Sequence, residues 1–302
     1  MNFRLLLGTI ILLLCLAYGG IVYFAAAAGP LLAFSPFAAI GLFGALVANS
    51  TGVGGGVVFV PAFSMLRETG IMDVSPAQTI GVSFAIQCFG MTTGSLTWLN
   101  RYRKTPVTDR AANGQDRLWL VIALVLPLSL ASMLATQYLA RPDPLLSFLL
   151  FKIFSIGLGT ALLLQLFLSR GNHRARVRFE QADYLALATI GLAGGVATAL
   201  FSVGVGELMA LYLFLRRFPL ELTVASAVIV SAISVVAGVP YHLLSGNLVS
   251  EILLFAAPAV VLGGFLAPRL AVWLGAFRLK LGAGLWIVIS SAALIAMSLQ
   301  GA

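Results

Sequence analysis

Charged side chains are scarce in this chain: Asp, Glu, Lys and Arg make up 9% of its 302 residues, while 60% are hydrophobic. Too little polar side chain remains to cover a water-soluble globule of that length. Cysteine is nearly missing. Cys15 and Cys88 both fall inside apolar runs and read as small buried hydrophobes, which excludes a disulfide scaffold. With only His173 and His242, a histidine-built metal centre is excluded, and no cofactor is expected. No Lys-Ser/Thr pair follows the glycine-rich run at 52–56, so that run is not a nucleotide-binding loop. The polar and apolar alternation of an outer-membrane barrel is also lacking.

What is present is a series of apolar runs of about 20 residues or longer, each enough for a helix to cross roughly 30 Å of hydrocarbon. They lie near 5–27, 31–66, 75–100, 118–140, 145–168, 183–215, 219–245, 249–274 and 277–299. The class is therefore an all-α integral membrane protein, a single transmembrane domain over 1–302 embedded in a lipid bilayer. A net charge of +8 would suggest nucleic acid in a soluble protein, but the basic residues lie in short loops between apolar runs. Membrane orientation accounts for them, and no nucleic-acid partner is expected. Asn2-Phe3-Arg4 and the apolar run to Ala28 read as an uncleaved N-terminal helix (1–28) or as a signal peptide cleaved within Ala25–Ala28. The uncleaved helix is preferred, and both readings place residue 29 on the outer face.

Two of the runs are broken by glycine, and the breaks match. Gly41–Gly56 reads GLFGALVANSTGVGGG and Gly191–Gly206 reads GLAGGVATALFSVGVG, 150 residues apart. Gly41/Gly191, Leu42/Leu192, Gly44/Gly194, Val53/Val203, Gly54/Gly204 and Gly56/Gly206 are identical. Ser75–Gly90 and Thr223–Gly238 follow, 148 apart, with Ala77/Ala225, Val82/Val230, Ser83/Ser231 and Gly90/Gly238 identical. A glycine-broken apolar helix in each of two repeats (31–168 and 183–299) is how a secondary transporter builds one site between two halves.

Charge decides whether the broken segments cross. If each is a re-entrant hairpin, one face carries Arg4, Arg101, Arg103, Lys104, Arg110, Arg117, Arg170, Arg174, Arg176, Arg178, Arg216, Arg217, Arg269, Arg278 and Lys280, 15 in all, against Arg67 and Arg141 on the other. If each crosses once, Arg4, Arg216, Arg217, Arg269, Arg278 and Lys280 change sides and the tally becomes 9 against 8. The positive-inside rule selects the hairpins. Each repeat then holds one hairpin and three transmembrane helices, an odd number, so the second repeat is inverted relative to the first. The N-terminus is expected in the cytoplasm and the C-terminus outside.

Irregular backbone at membrane depth survives only when buried in protein or lining a polar cavity. The breaks at Thr51–Gly56 and Ser202–Gly206 are such places, and a helix starting after each one aims unpaired N–H groups and a positive dipole end at it. An oxyanion would be held there by backbone donors and hydroxyls. The candidate substrate-binding residues are Asn49, Ser50, Thr51, Val53, Gly54, Gly55 and Gly56 in the first copy and Ser202, Val203, Gly204, Val205 and Gly206 in the second. Ser83 and Ser231 either join them or bond their own helix backbone. Glu207 is the sharpest ionisable residue. It either takes up a proton when the anion binds or pairs with the Arg216-Arg217 face.

The spacing G-x-x-G then G-x-G-G-G-x-x-x-x-P, met by Gly41, Gly44, Gly52, Gly54, Gly55, Gly56 and Pro61 and followed by Ala77 and Ser83, resembles the TauE/SafE family of sulfite exporters, also grouped as TSUP anion permeases. The second copy keeps Gly191, Gly194, Gly204, Gly206, Ala225 and Ser231 and departs at Ser202, Val205, Glu207 and Leu211. The resemblance covers about 35–299 and implies a bacterial inner-membrane carrier of small sulfur-containing anions such as sulfite, organosulfonates or sulfoacetate. The expectation is thus a secondary transporter working by alternating access, with protons as candidate coupling ion. A transporter of a different small anion and an intramembrane enzyme are the alternatives, the latter without a convincing nucleophile–base pair.

Overall fold

The apolar runs fold as helices that stop at the residues least suited to continue them. The computed structural model describes residues 3–26, 31–112, 115–140, 143–168, 176 and 178–300. Ala27, Ala28, Arg141, Arg170 and Arg174, used in the topology argument, lie outside these. The helices are α1 (Phe3–Ala25), α2 (Pro36–Thr51), α3 (Gly56–Glu68), α4 (Pro76–Lys104), α5 (Val107–Ala112) and α6 (Leu118–Ala135). There follow α7 (Pro144–Leu168), α8 (Gln181–Phe201), α9 (Val205–Leu215), α10 (Leu220–Leu244) and α11 (Ser250–Gln300), the last kinked at Gly275. No strand occurs among the described residues.

Among the described residues, eight segments are long and apolar enough to cross a membrane, including α1, α10 and each part of α11. This is a multi-pass membrane protein. The eight include α2 and α8, which precede the breaks, and leave out α4. At 29 residues α4 is long enough, about 43 Å at 1.5 Å per residue. It packs against α3, α10 and α11, and Thr79, Ser83 and Gln87 are buried along it, so protein rather than lipid surrounds its polar side chains. Its start is set by a capping box: Gln78 N–H donates to Ser75 Oγ at 3.1 Å, and Ser75 N–H to Gln78 Oε1 at 2.9 Å.

Both broken segments double back. Phe37, in the first turn of α2, meets Phe63 of α3 with ring centroids 5.5 Å apart. Asp183, in the first turn of α8, accepts bonds from the Tyr212 hydroxyl of α9 at 2.6 Å and from Arg216 Nε, just beyond α9, at 2.8 Å. A segment that ran straight through would separate those ends by the length of two helices.

The helices after the two breaks run antiparallel. Arg101, near the end of α4, pairs at 2.8 Å with Glu221 in the first turn of α10, while Gly81 near the start of α4 lies against Asn247 just past the end of α10. The hairpin arms are exchanged between halves. α2 packs against α11, and α8 against α6. Glycine permits both approaches: a Cβ at Gly41 would sit 3.0 Å from the Ala256 carbonyl oxygen, and one at Gly191 would sit 2.9 Å from that of Val125.

Helix α1 stands at the edge, packed mainly on α11 and pinned by a 3.0 Å bond from the Tyr18 hydroxyl to the Leu254 carbonyl. That position corrects one expectation. Cys15 is exposed rather than buried, because α1 turns most of its circumference away from the protein; Cys88 is half-buried, and both thiols are free.

Candidate functional site

At each break the helix ends on a left-handed residue. Gly52 adopts φ 76° and its N–H donates to Ala48 O at 3.0 Å; Ser202, the position 150 residues on, adopts φ 61° and donates to Thr198 O at 2.8 Å. The left-handed conformation costs an L-residue roughly 1–2 kcal/mol, so Ser202 keeps a side chain here at the expense of local strain. A threonine then catches an N–H beyond each break. Val53 N–H donates to Thr51 Oγ1 and Val205 N–H to Thr198 Oγ1, both at 3.1 Å.

The breaks lie against each other in a reciprocal way. Gly56 sits on the backbone of Ser202, where an added Cβ would meet the carbonyl carbon at 2.9 Å. Gly206 sits beside the backbone of Gly52, where a Cβ would meet the carbonyl oxygen at 3.4 Å. Gly56 and Gly206 are repeat partners, as are Gly52 and Ser202, so residue i of one half meets j of the other and j meets i.

Beside that contact lies a cavity of about 10 Å³ lined by Gly54, Gln87, Thr198, Ser202, Gly204, Val205, Glu207, Ser231 and Val235. It has room for about one water molecule. Gln87, 2% exposed, is its central donor. Its Nε2 donates to Ser202 Oγ at 2.8 Å and to Ser83 Oγ at 3.1 Å, with the Ser202 and Ser83 carbonyls at 3.2 and 3.3 Å. Glu207, also 2% exposed, accepts from the Gly204 N–H at 2.7 Å through Oε2. This carboxylate caps the start of its own helix, where the dipole favours negative charge. Its other oxygen, Oε1, lies over the backbone of Gly54 in the first break, where a Cβ would approach it to 2.5 Å. No Lys, Arg or His lines the cavity.

Of the residues the sequence singles out, Gly54, Ser202, Gly204, Val205, Glu207 and Ser231 line this cavity. Ser83 stands behind Gln87, Gly55 packs on Phe59 and Gln87, and Gly56 and Gly206 form the reciprocal contact. Val53 and Val203 turn into an apolar cluster with Phe201 and Ile287. Asn49, Ser50 and Thr51 lie just before the break and bond their own helix: Asn49 Nδ2 to Ala45 O at 2.9 Å, Ser50 Oγ to Val47 O at 3.2 Å, Thr51 Oγ1 to Val47 O at 2.8 Å. Asn49 packs instead on Gly94, and its carbonyl accepts from Trp98 Nε1 at 2.8 Å.

Thr198 and Val235 are lining residues that the sequence reading did not select, and Gln87, which in sequence reads equally as lining a path or bonding a neighbouring helix, lines the cavity with them. A signal existed for two of them: Gln87 follows Ser83 by four residues, and Thr198 precedes Ser202 by four, spacings that share one helix face. The pairing of Glu207 with the Arg216-Arg217 face does not occur. Arg216 binds Asp183 and, at 2.9 Å, Glu180, and none of the ion pairs among the described residues includes Glu207.

The site thus brings together the backbone of Gly54, hydroxyls, one amide and one carboxyl, with the Gly204 and Val205 N–H groups already bonded to Glu207 and Thr198. Such a set carries no positive side chain. A family model described as Sulfite exporter TauE/SafE matches residues 37–294. No curated protein and no solved structure matches the chain.

Proposed function

From a chain that belongs to the TauE/SafE sulfite exporter family, and hence to a family of membrane anion transporters rather than enzymes, we propose a secondary transporter of small sulfur oxyanions or organosulfonates that works by alternating access. Two inverted repeats, each a re-entrant hairpin followed by three crossings, hold the anion between their breaks. The observation that carries this reading is the reciprocal contact of Gly56 with Ser202 and Gly206 with Gly52. A site on a two-fold axis between inverted halves presents the same surroundings to either side of the membrane when one half rocks against the other.

The two helix starts are not equal. Glu207 occupies the N-terminal turn of α9, whereas its repeat partner Val57 leaves that of α3 without a carboxylate. The anion is therefore assigned to the α3 side, next to Gly54, Gln87, Ser202 and Ser231. A charged Glu207 would repel it; a protonated one donates a hydrogen bond from Oε1. Protons are accordingly the coupling ion in this reading. A cavity of about 10 Å³ belongs to a contracted state that widens to take a four-atom oxyanion. The chain sits in the bacterial inner membrane with its N-terminus in the cytoplasm and its C-terminus outside.

The test is flux in proteoliposomes containing this protein alone. Sulfite or an organosulfonate should move down its gradient and accelerate with an imposed proton gradient. Protein that is folded by thermal unfolding but moves none of these anions would overturn the proposal.

A further inference from the structure

A second opening shares no lining residue with the cavity at the breaks. It is a cleft of about 620 Å³ between the peripheral helix α1 and the faces of α4 and α11, reached by Leu7 and Tyr18 of α1, Thr93 and Asn100 of α4, and Val261 and Phe265 of α11. Its walls are apolar even where the sequence is not. Thr93 Oγ1 donates to Phe89 O at 2.9 Å, and Thr97 Oγ1 lies 2.8 Å from Thr93 O and 3.1 Å from Gly264 O of α11, so these hydroxyls are spent on backbone carbonyls.

The cleft has a charged end. Asn100 leads, one turn further along α4, to Lys104, and Phe265 leads, one turn along α11, to Arg269. Lys104 and Arg269 are both exposed, and the Arg269 guanidinium lies over the Phe265 ring, 5.1 Å from its centroid. From Leu7 to Tyr18, α1 rises about 16 Å at 1.5 Å per residue, half of a hydrocarbon core of about 30 Å. The cleft is about one leaflet deep and apolar along its length, and Lys104 and Arg269 stand one helical turn beyond its lining residues Asn100 and Phe265. We propose that it is a binding site for one anionic phospholipid, an acyl chain lying between α1 and the α4/α11 faces and the phosphate at Lys104 and Arg269. Basic pockets between transmembrane helices bind acidic lipid headgroups. The occupant ties α1, which has few direct contacts, to the rest of the protein.

Full-length protein in a neutral detergent is titrated with phosphatidylglycerol and with phosphatidylcholine of the same acyl chains, and bound lipid is counted by native mass spectrometry. One phosphatidylglycerol per chain should bind, at least tenfold tighter than phosphatidylcholine. The K104Q/R269Q variant should bring the two lipids within about threefold of each other. The Cys15→Trp variant, which fills the cleft from α1, should lose both lipids while keeping the wild-type unfolding profile of the remaining helices. Equal binding of the two lipids by the wild type, or an undiminished preference in K104Q/R269Q, would overturn the proposal. So would a lipid-free dimer that Cys15→Trp dissociates, which would make the cleft an interface between copies of this chain. None of these outcomes depends on anion flux.

Discussion

The Gln87 amide donates to the Ser202 hydroxyl at 2.8 Å, tying α4 to the break at the end of α8. Ser202 is held in the left-handed region at the end of α8, and its side chain and carbonyl both face this amide. Replacing Gln87 by Leu strands two buried oxygens, at a cost of about 1–3 kcal/mol. Thermal unfolding in detergent should move down accordingly, and anion affinity should fall at least tenfold. Wild-type affinity in Gln87→Leu would remove the amide from the site.

Glycine matters at the breaks for space rather than for flexibility alone. Gly56→Ala drives a methyl into the Ser202 backbone, where the nearest atoms cannot yield as a side chain would. Flux should be lost and the unfolding temperature lowered. Gly282→Ala, which meets nothing within 4 Å, serves as the control and should be neutral or stabilising by up to about 1 kcal/mol.

Proton uptake with the anion fixes the sign of the pH dependence. If Glu207 is protonated as the anion binds, affinity rises as pH falls, by up to about tenfold per unit where the free site is charged. Glu207→Gln mimics the protonated form and should bind the anion with little pH dependence. Isothermal titration with sulfonate, whose own charge is constant over the range, separates this from titration of the substrate. A folded Gln variant that keeps the wild-type slope rules the coupling role out.

The clasp at the mouth of the second hairpin should resist mild acid. Arg176 and Arg216 hold the exposed Glu180 carboxyl below its ordinary value of 4.5, so its pairing is present above that value and fades only as pH falls through the lowered one. Asp183, fully buried, is the more important member. Asp183→Asn leaves Arg216 facing a neutral amide and should cost about 3 kcal/mol. Hydrogen exchange should then show α9 opening faster than α10. Equal protection of α9 in wild type and variant would show that the clasp is dispensable.

Topology is open to a direct check in a background lacking Cys15 and Cys88. Cysteines at Asp116 and Arg178 should react with an impermeant maleimide only from the cytoplasmic side, and one at Ser245 only from outside. Labelling of residues 178 and 245 from one face would refute both the hairpins and the inversion.

The helical class, the membrane location and the position of both breaks were legible in the sequence, because each follows from local composition: apolar length forces helices to span, and clustered glycine stops them. The doubled G-x-x-G spacing also foretold that two breaks would be related. The direction in which side chains point was not legible. Asn49, Ser50 and Thr51 carry the chemistry expected of an anion site, yet their helix ends at Gly52 with those groups bonded within α2 or packed on α4. Gln87 reads equally in sequence as lining a path or bonding a neighbouring helix, as Gln78 does, and it meets Ser202 because α4 crosses beside that break. Likewise Arg216 was free to pair with Glu207 in sequence, and the fold of the hairpin gave it to Asp183 instead. Sequence determined where the backbone would break; which side chains meet there was decided by helices distant in the chain, since buried polar groups bond whatever the packing brings within 3 Å.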